Sequence, residues 1–208
     1  MDFEIPESVR LMRDTVRRFV KNDLEPISQQ VEEQGEIPES IVQKMRDLGF
    51  FGLAIPEEYG GMGLNTLGEC VLNEELGQTN VCFRSRFGTN NGIGTQGILI
   101  DGTAEQKEKY LPRCASGEWT AAFALTEPNA GSDAANIQTK AVKKGDVYLL
   151  NGLKHYITNG DIADISTVMA VTDKEKGARG VTAFIVEKTF PGYSVGKIDK
   201  KMGVHGNN

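Results

Sequence analysis

Apolar positions in the first half of the chain recur every three or four residues. Val9, Met12, Val16, Phe19, Val20 and Leu24 follow this spacing, with Arg10, Arg13, Arg17 and Arg18 largely between them. Such a stripe predicts an amphipathic helix of several turns that ends near Pro26 or continues past it with a kink, because proline lacks an N–H and crowds the preceding turn. Pro38 suits the first turn of a second helix, which runs through Ile41, Val42, Met45 and Leu48 to a stop at Gly49. Residues 66–76 and 104–114 predict two more helices, the latter capped by Thr103 with Gln106 three positions on. Residues 83–100 are glycine-rich and weakly helical, and residues 55–63 read as a turn-rich loop.

Beyond Gly117 the period shifts towards two. Short runs rich in β-branched and aromatic residues predict strands at 119–125, 139–142, 147–150, 155–158, 165–171 and 182–186. Asn151-Gly152 signals a hairpin, since both residues tolerate the positive φ of a type I′ turn, and Lys144-Gly145-Asp146 marks another tight turn. The expected fold is therefore α+β: an all-α bundle over residues 1–118 followed by an antiparallel, barrel-like β domain over 119–208.

Composition narrows the function classes. With 39% hydrophobic and 25% charged residues the chain can bury a core, unlike a disordered one. A net charge of −6 argues against a nucleic-acid binder. The longest apolar run, 50–55, is interrupted by Gly52 and is far too short to cross a bilayer. Met1-Asp2-Phe3-Glu4 lacks a basic, apolar leader, and Cys70, Cys82 and Cys114 form no CxxC pair. These features predict a cytoplasmic protein with buried, reduced thiols. The acidic excess sits in the first 118 residues (12 basic, 20 acidic), whereas residues 119–208 carry 11 basic and 9 acidic side chains. A slightly basic β segment suits a phosphate-bearing ligand or is simply a solvated surface.

Most familiar catalytic signatures fail. Gly92-Ile93-Gly94-Thr95-Gln96-Gly97 matches the dinucleotide pattern, but no apolar strand precedes it and the helix after it is too short for a crossover. A glycine-rich helix packed closely on a neighbour or ligand fits better. His155, assigned to a strand, and His205, in a terminal loop, are fifty residues apart with no metal-ligand spacing around them. Asp133, Asp161 and Asp164 lie near one another in sequence without a spacing that pairs them.

Two stretches carry more. In residues 123–133 an apolar strand enters a Pro-Asn turn and then a small-residue loop with hydroxyls at Thr126 and Ser132. That pattern satisfies either a phosphate nest or an ordinary strand exit capped by Ser132. In Lys154-His155-Tyr156-Ile157-Thr158-Asn159-Gly160, a strand would put Tyr156 and Thr158 on one face. A ring beside a hydroxyl suits a flat heterocycle or a plain cross-strand pair.

Together these stretches resemble the acyl-CoA dehydrogenase family. Residues 124–133 are similar to its signature, as are 156–160, the 55–63 loop, Gln106-Lys107-Glu108-Lys109-Tyr110-Leu111-Pro112 and Lys201-Met202-Gly203. Five ordered motifs span nearly the whole chain. Tyr156 stands where the family more often has Trp, and Asn129 where Gly is common. The resemblance implies FAD bound by Phe123, Leu125, Thr126, Gly131, Ser132, Tyr156, Ile157 and Thr158, with the Thr158 hydroxyl near flavin N5 and Ser132 also near the pantetheine or phosphate of an acyl-CoA. Phe83-Arg84-Ser85 is similar to the Tyr-Arg-Ser of glutaryl-CoA dehydrogenases, which implies substrate contacts from Arg84 and Ser85; a solvated helix arginine is the alternative. The family further implies α,β-dehydrogenation of an acyl-CoA thioester, an electron-transfer flavoprotein as acceptor and a homo-oligomer. Its catalytic base and C-terminal four-helix domain are expected beyond Asn208, so no catalytic residue is assigned here. The alternatives are an acyl-CoA oxidase or monooxygenase-like relative that uses O₂, and a catalytically silent flavin-binding fragment.

Overall fold

The computed structural model describes residues 4–208, and the Met1-Asp2-Phe3 start lies outside them. Helix α1 (Glu7–Phe19) buries Val9, Val16 and Phe19 from the predicted stripe. The chain then continues past Pro26 by changing its winding: Val20–Leu24 forms one π turn and Glu25–Ile27 one 3₁₀ turn before α2 (Ser28–Gln34). Pro26 lies in the first turn of that 3₁₀ segment, where a missing N–H leaves little unpaired. Helix α3 (Glu39–Asp47) has Pro38 just before its first turn rather than in it, and Gly49 closes the exit at φ 71°. The apolar run Phe50–Gly52 becomes a buried 3₁₀ turn at the centre of the helical core. There Phe50 packs edge-on against Phe19 with centroids 5.6 Å apart and lies 5.4 Å from Phe87.

Four more helices complete this half. Helix α4 (Thr66–Leu76) is capped by Asn65, whose side chain accepts the Gly68 N–H at 3.0 Å. The weakly helical stretch resolves into α5 (Val81–Asn91) and α6 (Gln96–Asp101), and α7 (Ala104–Ala115) carries the full Thr103–Gln106 capping box. The dinucleotide-like glycines fall in the break between α5 and α6. A Cβ on Gly94 would come within 2.7 Å of the Thr89 carbonyl oxygen and 2.9 Å of the Ala121 methyl, so this glycine serves close packing on the adjacent strand, as expected.

The strands are β1 (Ala121–Ala124), β2 (Lys140–Lys144), β3 (Val147–Asn151), β4 (Ile165–Val171) and β5 (Val181–Glu187). Their arrangement gives the α+β class expected, but the sheet is mixed rather than wholly antiparallel. Strands β2–β3 and β4–β5 pair antiparallel, whereas β1 and β2 both run parallel to β4. The residues between β1 and β4 are numerous enough to carry the chain back to the same edge, which a parallel pair requires. Gly145, at φ 61°, opens the two-residue turn between β2 and β3. A second core links the halves: Leu111, Cys114 and Ala115 of α7 meet Ile98, Ala121 and Ile165.

Three expectations are corrected. Residues 155–158 are not a strand, so His155 is not in one, because Tyr156 and Asn159 take φ values of 57° and 60° that no extended strand can hold. Asn151-Gly152 is not a hairpin turn; a Cβ on Gly152 would overlap the Thr139 side chain, so close approach is what calls for glycine there. Cys82 and Cys114 are buried free thiols, but Cys70 is exposed.

Candidate functional site

Strand β1 leaves the sheet at Ala124, and residues 127–130 close a tight turn in which Glu127 and Ala130 exchange both backbone hydrogen bonds, at 3.0 and 3.1 Å. Opposite runs the irregular segment 152–158. The two are tied by the His155 N–H, which donates to the Thr126 carbonyl at 2.8 Å. Between them opens a cavity of about 150 Å³ lined by Phe123, Leu125 and Thr126 from one side, by Tyr156, Ile157 and Thr158 from the other, and by Thr89 and Ile93 from α5 and its exit.

The cavity walls are aromatic and aliphatic, and three threonine hydroxyls interrupt them. Tyr156 is 76% exposed and held at positive φ, so strained backbone presents a ring that the protein itself does not bury. Tyr156 and Thr158 thus share the cavity through this bent backbone rather than through strand alternation.

Asn159 fixes the far end of the segment. Fully buried, it donates from Nδ2 to the Ser85 carbonyl at 3.0 Å and to the Thr89 hydroxyl at 2.9 Å, which places the lining residue Thr89 beside the loop. Its Oδ1 is buried without a partner. Beneath the other wall, the buried Glu127 carboxylate takes the Lys154 ammonium at 2.8 Å and the N–H groups of Thr139 at 2.9 Å and Gln138 at 2.5 Å. Burial opposes its ionisation, yet the bonds from Lys154, Thr139 and Gln138 outweigh it and hold the carboxyl down to about 2.

The remaining predicted residues lie apart. Gly131 and Ser132 are exposed on the loop after the turn, with open space around the Cβ position of Gly131. Arg84 borders a separate cavity of about 50 Å³ with Glu69 and Asn73, and its Nε donates to Asn73 Oδ1 at 3.2 Å. Burial pushes the Glu69 carboxyl up against the opposing pull of Arg84. Ser85 enters only through its carbonyl, which holds Asn159. The sequence reading missed Thr89, Ile93, Glu127, Lys154 and Asn159 as parts of the site. Thr89 carries no local signal, Ile93 lies within the glycine-rich 92–97 stretch, and the other three sit inside the two stretches already singled out.

The chain belongs to the acyl-CoA dehydrogenase family: residues 6–118 match the model of its N-terminal domain and residues 122–208 that of its middle domain. It is similar to an acyl-CoA dehydrogenase of Bacillus subtilis, 41% identical over 198 residues that make up 95% of this chain and 52% of that protein. Among solved structures it resembles the electron transferring flavoprotein of Acidaminococcus fermentans, with a TM-score of 0.94 and 42% identity over 100% of this chain and 55% of the other. A glutaryl-CoA dehydrogenase from Mycobacterium smegmatis in complex with FADH2 matches with a TM-score of 0.89 and 32% identity over 98% of this chain and 51% of that one. The chain therefore spans about half the length of these relatives. No helix among the described residues is long and apolar enough to cross a membrane.

Proposed function

We propose that this chain is the flavin-binding part of an acyl-CoA dehydrogenase, acting on the Cα–Cβ bond of an acyl-CoA thioester with FAD as cofactor. The observation that carries this reading is the exposed, strained Tyr156 ring facing a cavity lined by Phe123, Leu125, Thr126, Ile157 and Thr158. Bound FAD supplies the hydride acceptor for Cβ, the one function that no side chain of the chain can provide.

The protein's own groups bind and orient. Phe123, Leu125 and Ile157 offer apolar walls that exclude water from a ring system, while Tyr156 covers it. The Thr126 and Thr158 hydroxyls would donate to its polar edge, and the open Gly131-Ser132 backbone would meet phosphate. Donors to the thioester oxygen make the Cα–H acidic by stabilising its developing enolate. No residue of this chain is assigned as the base that takes the Cα proton. An electron-transfer flavoprotein is the acceptor we propose for the full-length enzyme, on the strength of the family match.

Titration of the purified chain with FAD, followed by quenching of flavin fluorescence and the visible absorption of the gel-filtered protein, tests the cofactor. A yellow complex is expected, weaker in Thr158→Val. A chain that stays colourless at saturating FAD refutes it. Fast reoxidation of the reduced complex by air would favour O₂ as acceptor over a flavoprotein.

A further inference from the structure

The segment 152–158 supplies half the cavity wall, yet no strand ladder holds it. Its attachments are few and specific. Besides the His155 N–H bond to Thr126, the Lys154 ammonium donates both to Glu127 Oε1 at 2.8 Å and to the Leu125 carbonyl at 2.9 Å. Lys154 lies two residues before Tyr156, and Glu127 directly follows Thr126. A single buried cation therefore grips the carbonyl of one lining residue and the carboxylate next to another, while its own backbone carries the opposing wall.

Glu127 is anchored in turn. Its two oxygens accept the N–H groups of Gln138 and Thr139, just before β2, so three chain segments meet at one carboxylate. The side chains are 11% and 5% exposed for Lys154 and Glu127. Buried pairs of this kind rarely gain net stability over apolar residues of the same shape, because desolvating both ions offsets their attraction. What such a pair does supply is a fixed geometry: its directional bonds fail if either partner shifts by an ångström.

We infer that the Glu127–Lys154 pair is a positioning clamp that sets the spacing between the Leu125–Thr126 and Tyr156–Thr158 walls, and through it the affinity and electronic environment of the bound heterocycle. The inference deepens the flavin reading and rests on it for its consequence, although the clamp itself is a property of the protein alone. Neither residue lines the cavity itself, so the clamp acts through Leu125, Thr126 and Tyr156.

The test compares the 208-residue chain with Lys154→Met and with the double variant Glu127→Gln/Lys154→Met, which removes both charges and leaves no ion uncompensated. Two readouts are taken on protein that far-UV circular dichroism shows to be folded. Amide hydrogen exchange over residues 152–158 without flavin should quicken by about tenfold in both variants, because these bonds oppose local opening of the segment. FAD titration should show about tenfold weaker binding, with a shifted visible flavin band that a change in stability alone would not produce. Exchange and FAD affinity within twofold of the parent in the folded double variant would overturn the clamp. Faster exchange in the variants combined with no FAD binding by the parent would sustain the clamp and reject the flavin reading instead.

Discussion

Replacing Asn159 by alanine should be among the more damaging polar substitutions in the protein, and the size of the loss follows from its contacts. The side chain is fully buried, and its Nδ2 satisfies the Ser85 carbonyl and the Thr89 hydroxyl, with a longer contact of 3.4 Å to the Arg86 carbonyl. Losing two good buried bonds costs about 2 kcal/mol at the low end, because the helix carbonyls keep some of their own partners. Alanine at φ 60° adds about 1 kcal/mol of backbone strain that asparagine tolerates better. Removing the partnerless Oδ1 returns about 1 kcal/mol, for a net loss of about 2 kcal/mol. Asn159→Asp should be worse than alanine, since it turns the donor into a charged acceptor facing two oxygens. Asn159→Gly should be better than alanine by about 1 kcal/mol, because glycine accepts the positive φ. Urea unfolding monitored by circular dichroism measures all three at unchanged slope. Asn159→Ala within 0.5 kcal/mol of the parent (about the scatter of such series), or aspartate no worse than alanine, would refute the reasoning.

Other substitutions probe the scaffold. A Cβ on Gly61 would overlap the carbonyl oxygen of Ile55, so Gly61→Ala should cost about 3 kcal/mol, while Gly131→Ala, with nothing within 4 Å, should change stability by less than about 0.5 kcal/mol in the same urea titrations. The His205 ring has both nitrogens on carbonyl oxygens, Nε2 2.7 Å from Lys201 and Nδ1 3.0 Å from Glu32. Only an imidazolium can donate to both, and those contacts, Lys201 first and then Glu32, raise its pKa. Around it also face the Glu32 carboxylate, the Lys201 ammonium and, beyond Glu32, the Cys82 thiol, which burial pushes up to about 11. The docking of residues 201–208 on α2 is therefore most stable below pH 6.5 and weakens as pH rises through the raised value. Amide exchange of Gly206 and Asn207 should quicken from pH 6 to 8 after correction for intrinsic rates, and this extra dependence should vanish in His205→Gln; an identical profile in both would refute it.

Much of the helical half was legible because its signals are local. The α1 stripe, the Thr103–Gln106 box and the Gly49 stop each act within a turn or two of their own sequence, and each appears where expected. The two site stretches were legible as well, through their residue types and their likeness to a known family. Segment 155–158 misled because alternating aromatic and β-branched residues carry strand propensity, and tertiary bonds overrode it. Propensity is worth tenths of a kilocalorie per residue, whereas Lys154 and Asn159 bring several buried hydrogen bonds to the same few residues.

By itself, then, the amino-acid order determined where helices start and stop, that a β-rich segment follows, and which two stretches carry the cavity's chemistry. Tertiary structure alone decided that β1 and β2 run parallel to β4, that Thr89 and Ile93 join the cavity, that Arg84 stands outside it, and that Glu127, Lys154 and Asn159 hold its walls. The physical reason is distance along the chain. Capping and periodicity involve neighbours a few residues apart, but the Asn159 bonds to Ser85 and Thr89 span 74 and 70 positions, and the partner of such a bond is set only when the whole chain has packed.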